Sequence, residues 1–175
     1  MKPEIIEKGI IRLAGMASYG KVGGKDWEEE NNIGALWKRF LVYWEKYGST
    51  LPFKTLSPHT MYEVSVWEDG DESEDMAFST FVGVEVDSFE KVPFELECKT
   101  LPKNSYAFFT VKGQRIKEWY GDFYGGWLPD SGYKLPVSGG QCYGVVAYGE
   151  NRFFGLEGEA LERSELDVLV PLQKK

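Results

Sequence analysis

Two acids, Glu63 and Glu85, lie in runs of alternating character among aromatic residues, and they are the groups of this chain best placed to do chemistry. In Val82-Gly-Val-Glu-Val86 an extended backbone puts Val82, Val84 and Val86 on one face and Phe81, Gly83 and Glu85 on the other. With the valines turned to a helical layer, Glu85 and Phe81 are expected to face a cleft. A carboxylate among rings loses hydration, so its pKa should rise and its demand for a cationic partner should grow. Glu63, with Trp67, is read as taking the equivalent face of the preceding strand, within a few residues of register. Two neighbouring carboxylates could bind a cation or share a proton, and could also assist hydrolysis. The plain alternative is two unrelated surface acids.

Trp67, Phe81, Tyr106, Trp119 and Tyr148 are the candidate ring walls. A cation over an aromatic face gains about 0.5–2 kcal/mol, depending on desolvation. Trp119 lies beside the stripe Ile116, Tyr120, Phe123, Trp127 and is therefore expected to be free for a ligand. Trp37, Phe40, Trp44 and Trp127 recur at helical spacing and read as helix–sheet core.

Other chemistries find little support. His59 is the lone histidine, in a Ser-Pro-His-Thr loop, and no Gly-x-Ser-x-Gly turn accompanies it. No Cys or His cluster suggests a metal, and no cofactor is implied. Gly20-Lys-Val-Gly-Gly-Lys-Asp26 departs from a phosphate loop at Tyr19 and Asp26 and reads as a flexible loop that could cover a cleft. Asp69-Gly-Asp-Glu-Ser-Glu-Asp75 lacks the central glycine of a calcium loop and reads as a solvated hairpin turn. Cys98 and Cys142 are too few and too far apart for a disulfide framework, and suggest two reduced thiols in a cytoplasmic protein. A net charge of −8 and a pI near 4.8 argue against direct nucleic-acid binding. Neither a signal segment nor a run of about 18 apolar residues is present, so no membrane association is expected.

The elements that must position these groups come in two rounds. Glu4 to Gly20 reads as extended, with a break at Gly9. A helix is predicted over Ile33–Tyr47, stopped by Gly48. Strands follow over Met61–Trp67 and Ala77–Val86. After Pro93, Glu95 to Gly113 mirrors the opening segment, and a second helix is predicted over Ile116–Leu128, ending before Pro129. Strands about Cys142–Tyr148 and Leu166–Leu172 close the chain, with a loop between them. Gly132-Tyr-Lys-Leu-Pro136 echoes Gly48-Ser-Thr-Leu-Pro52, which aligns Trp44 with Leu128 and Phe40 with Tyr124. The expected fold is α+β: one domain, 1–175, of tandem β-α-β-β units, about 1–90 and 91–175. They form an antiparallel sheet with both helices on one side. A ligand cleft is expected at the pseudo-twofold seam, on the side without helices.

Several stretches then resemble the GyrI-like, AraC-type effector-binding domain. They are Phe81-Val-Gly-Val-Glu-Val86, Thr100-Leu-Pro to Thr110-Val-Lys-Gly113, Trp127-Leu-Pro-Asp-Ser-Gly-Tyr133 and Glu165-Leu-Asp-Val-Leu-Val-Pro171. The resemblance spans nearly the whole chain. It implies a duplicated fold with a central cleft for bulky, often cationic, aromatic compounds, used in multidrug sensing, sequestration or transcription regulation. It also implies two alternatives: a hydrolase of cyclopropyl-type natural products, with Glu85 or Glu63 as acid/base, and a protein-interaction module such as a gyrase modulator. Without a helix-turn-helix segment, a role in transcription calls for a protein partner; monomer and dimer both remain open. The family's usual cleft Glu, two residues before a Tyr, falls here at Val146. Either another acid supplies the counter-charge, with Glu85 the leading replacement, or the ligand is not a simple cation.

Overall fold

The leading extended segment breaks after Lys8 into β1 (Glu4–Lys8) and β2 (Ile11–Lys21), and that break decides the architecture. The computed structural model describes residues 2–21, 33–70 and 77–175, so the covering loop expected from residue 22 onward and most of the acidic turn lie outside the described residues. After α1 (Ile33–Tyr47) come β3 (Thr60–Glu68) and β4 (Ala77–Glu85). The second half repeats the order with β5 (Glu97–Leu101) and β6 (Asn104–Lys112). A helical run follows, made of α2 (Arg115–Tyr120), a π-helical stretch (Gly121–Trp127) and α3 (Leu128–Asp130). The short β7 (Tyr133–Lys134), β8 (Gln141–Gly149), α4 (Gly158–Arg163) and β9 (Glu165–Lys174) complete it, with α4 standing where a loop was expected.

The strands pair antiparallel in the order β1-β6-β9-β8-β3-β4-β2-β5, with β7 beside β9. Exchanging β1 with β5, β2 with β6, β3 with β8 and β4 with β9 turns this order into its own reverse. The duplication is therefore built into the sheet, and its pseudo-twofold axis passes where Val64 of β3 faces Val145 of β8. Because each opening strand is broken, its first piece crosses over. β1 pairs with β6 of the second half, and β5 pairs with β2 of the first.

Both main helices lie on the same face of the sheet. α1 packs Leu36 and Phe40 on Val82, Val84 and Val86, and the second helical run packs Ile116 and Phe123 on Phe109, Val168 and Val170. A fully buried Phe of this kind contributes about 1.5–3 kcal/mol. The ring stack of Phe40 on Trp44 (5.8 Å) is matched by Phe123 on Trp127 (5.3 Å). Phe40 thus corresponds to Phe123 and Trp44 to Trp127, one residue away from the alignment expected from the glycines. The wider π turns shift the phase of the stripe. That shift turns Trp119 inward against Phe109 (5.8 Å) and leaves Tyr120 exposed, the reverse of the sequence expectation. The helix also runs past Leu128. Pro129 sits in the first turn of α3, where a missing N–H is tolerated.

The sheet curls into a half-barrel, which fills most of the helix-free face with side chains and leaves its open space at one end, beside Tyr62 and Glu85. Phe81, Val64, Tyr106, Val145 and Leu169 form one core cluster there, each at most 5 % exposed. The Tyr106 and Tyr143 hydroxyls bond at 2.9 Å inside it. The curl depends on Gly15 and Gly83, which face one another across β2 and β4. A Cβ on Gly83 would lie 2.3 Å from the Ala14 carbonyl oxygen, and one on Gly15 would lie 1.9 Å from that of Val82. The obstacle is backbone, which cannot swing aside. Gly83→Ala is therefore expected to destabilise the fold by about 1–3 kcal/mol in urea unfolding, the usual range for overpacking. An unchanged midpoint would show that the ladder can relax.

Candidate functional site

Alternation along β3 sends Tyr62, Val64 and Val66 to the helix-free core and Met61, Glu63, Ser65 and Trp67 to the helix side. The register fixes this: Glu63 lies opposite Val82, whose face α1 covers. On its other flank Glu63 lies opposite Val146 of β8. The carboxylate thus reaches the pseudo-twofold seam from the strand next to the one expected to carry it. Side chains opposed in this way have Cβ atoms about 5 Å apart.

Glu63 is 8 % exposed. Trp37 of α1 donates its indole N–H to Oε2 at 2.7 Å, and the Tyr148 hydroxyl of β8 donates to the same oxygen at 3.2 Å. Burial raises the Glu63 pKa, and these two donors oppose the rise. Burial and then the adjacent Glu63 charge push the Tyr148 phenol well above its ordinary value, so it keeps its proton and stands as a fixed donor. Among the described residues no Lys, Arg or His forms an ion pair with Glu63. A buried carboxylate without a cation retains a desolvation penalty of several kcal/mol, which two hydrogen bonds offset in part.

Two ring pairs line the helix side of the seam, one of them at this acid. Trp37 meets Tyr148 edge-on at 5.1 Å, and Tyr148 meets Phe153 at 4.9 Å. Across the axis, Tyr124 of the π-helical stretch meets Trp67 edge-on at 6.1 Å. Each helix therefore places a ring on a strand of the opposite half. Gly144 of β8 lies beneath the second pair: a Cβ there would lie 3.4 Å from the Tyr124 hydroxyl and 3.6 Å from the Trp67 ring.

The candidates read from sequence separate into three groups. Glu63 and Tyr148 meet at the seam, Trp67 lies four residues further along the same face of β3 against Tyr124, and Trp119 touches Tyr124 (6.2 Å). Phe81 and Tyr106 lie in the helix-free core. Glu85 lies at the open end of that face, where Ser57 and Tyr62 donate to its Oε2 at 3.1 and 3.2 Å. Glu63 and Glu85 are therefore not a pair: β3 and β4 send them to opposite faces. The sequence places Trp37 in the helix–sheet core and gives Tyr124 only as the counterpart of Phe40, so neither is read as a site residue. The indole N–H of Trp37, which needs a partner when half-buried, was the available signal. His59 is exposed and bonds Glu150, and the two cysteines are unpaired. Among the described residues no three ligating side chains gather as a metal site would need, and no helix is long and apolar enough to cross a membrane.

A duplicated antiparallel sheet with two helices over one face and an acid at the seam defines an effector-binding fold of the GyrI-like type. Residues 4–152 match the family model described as Cass2, integron-associated effector binding protein, and the chain belongs to that family. Solved structures share the fold at low identity. SAV2435 bound to tetraphenylphosphonium superposes with a TM-score of 0.67 at 13 % identity, over 99 % of this chain and 94 % of that one. The EcmrR C-terminal domain gives 0.62 at 14 %, over 99 % and 98 %. The integron cassette protein VCH_CASS2 of Vibrio cholerae gives 0.57 at 9 %, over 99 % and 97 %. No curated protein matches in sequence.

The raised pKa of Glu63 fixes the sign of a pH effect. The folded state holds this proton more tightly than the unfolded chain, so the contribution of Glu63 to stability is greatest below its ordinary value near 4.5 and falls as pH rises through the folded value. The unfolding free energy of wild type minus that of Glu63→Gln should therefore decline from pH 4.5 toward neutrality, as urea titrations would measure. A flat difference would place the carboxylate in water.

Proposed function

We propose that residues 1–175 act as one effector-binding unit that captures a hydrophobic aromatic cation at the Glu63 seam. The observation that carries this reading is a buried carboxylate held by Trp37 and Tyr148, with the Trp67–Tyr124 pair further along the same face of β3 and, among the described residues, no ion pair to Glu63. A delocalised cation satisfies the charge without demanding water, and the ring faces add cation–π attraction. Trp37 and Tyr148 now hold the carboxylate, so a guest enters by displacing the Trp37 indole and setting its positive charge against Oε2. The acid reaches the seam from β3 rather than from the Val146 position, which answers the missing family glutamate: the counter-charge is kept and its strand is changed. That SAV2435 holds tetraphenylphosphonium supports the choice of ligand class.

Within this reading the chain senses or sequesters multidrug-type cations in the cytoplasm, and any effect on transcription passes through a protein partner. Capture without chemistry is expected, with the ligand recovered unchanged.

Titration with tetraphenylphosphonium should quench tryptophan fluorescence saturably. Glu63→Gln should weaken binding about 10- to 100-fold, the loss expected for a contact to a buried charge. Affinity should also fall as pH is lowered toward the raised Glu63 pKa, because protonation removes the counter-charge. Equal affinity for wild type and Glu63→Gln, or recovery of altered ligand from an electrophilic substrate, would overturn the reading.

A further inference from the structure

The open end of the helix-free face holds a cavity of about 280 Å³ that the seam does not use. Ile11, Phe108, Ala147 and Leu169 give it an apolar floor drawn from both halves of the sheet, and Lys8, Thr60, Tyr62, Glu85 and Asp167 stand around it.

The two acids there differ in kind. Asp167 is already satisfied: Arg152 donates to Oδ2 at 2.6 Å and to Oδ1 at 3.0 Å, and the Thr110 hydroxyl donates to Oδ1 at 2.6 Å. Burial pushes its pKa up, but Arg152 and Thr110 outweigh that and hold it below its ordinary value. Among the described residues no Lys, Arg or His forms an ion pair with Glu85. The Ser57 and Tyr62 hydroxyls both donate to its Oε2, and among the described residues nothing bonds Oε1. Burial and the neighbouring Glu85 charge push the Tyr62 phenol up to about 12, so it stays a donor throughout the physiological range. The carboxylate is thus oriented by two neutral hydroxyls, with one oxygen left over beside an apolar floor.

We propose that this cavity is a second ligand site, separate from the Glu63 seam, which takes a small primary ammonium compound: the ammonium bonds Glu85 Oε1 and a short apolar tail lies on Ile11, Phe108 and Leu169. An ammonium is a compact donor that fits a single oxygen, and a cavity of this size suits it better than a bulky delocalised cation. Lys8 adds a positive charge to the lining, which disfavours ligands with a second positive centre. The two sites are insulated because β3 and β4 send Glu63 and Glu85 to opposite faces of the sheet.

Amide NMR titration of the intact protein with isoamylamine, and with isoamyl alcohol as its uncharged counterpart, tests this. Saturable shifts centred on Ile11, Thr60, Glu85 and Ala147 are expected with the amine and not with the alcohol. Glu85→Gln should weaken amine binding at least tenfold, and Tyr62→Phe should weaken it less. Glu63→Gln should leave amine binding unchanged while losing tetraphenylphosphonium, so the two proposals fail independently. The second site is overturned if the amine gives no saturable shift at millimolar concentration, if the alcohol binds as well, or if Glu85→Gln binds the amine as tightly as wild type does.

Discussion

One buried charge organises this molecule. Glu63 lies one residue from the pseudo-twofold axis of the sheet, out of water and, among the described residues, without an ion pair, kept there by an indole N–H from α1 and a phenol from β8. Those two donors belong to different halves of the chain, so the bond network around the carboxylate also ties the halves together. A position beside the axis is the one place where both helices can supply a wall. The two edge-on ring pairs, Trp37 with Tyr148 and Tyr124 with Trp67, use that geometry from either side.

The two faces of the sheet divide the labour. The helix-free face is filled over most of its length by an apolar core, with Gly15 and Gly83 allowing the strands to approach. Stability can be held there without rings over the acid. The helix face is left with aromatic packing that can reorganise, because edge-on ring pairs are each worth only about 0.5–1.5 kcal/mol beyond their buried area. A site that must open for a guest is better built from such contacts than from interlocked aliphatic side chains.

Much of this was legible in the sequence. The bounds of α1 follow from an uninterrupted 3.6-residue stripe ending at Gly48, and the duplicated element order survives although the halves share little identity. The second helix was harder: its stripe changes phase in the π-helical stretch, which no spacing rule anticipates, and so Trp119 and Tyr120 were exchanged. The site failed to emerge for a different reason. Alternation along β3 and along β4 was each read correctly, but the rule that the more apolar face meets the helices does not discriminate when both faces are buried. A slip of one residue between the strands then moved Glu63 beside Glu85 rather than opposite Val82.

The crossed opening strands carry a consequence for the chain as a whole. A detached first half would keep β2, β3 and β4 but would leave β1 with nothing to lie against, and β2 would lose the neighbour that covers its outer edge. Two such detached pieces could satisfy one another only by swapping those strands, which regenerates the present arrangement as a pair of molecules. The single polypeptide is in this sense an exchanged dimer tied end to end, and the segment from Val86 to Leu96 is the tie.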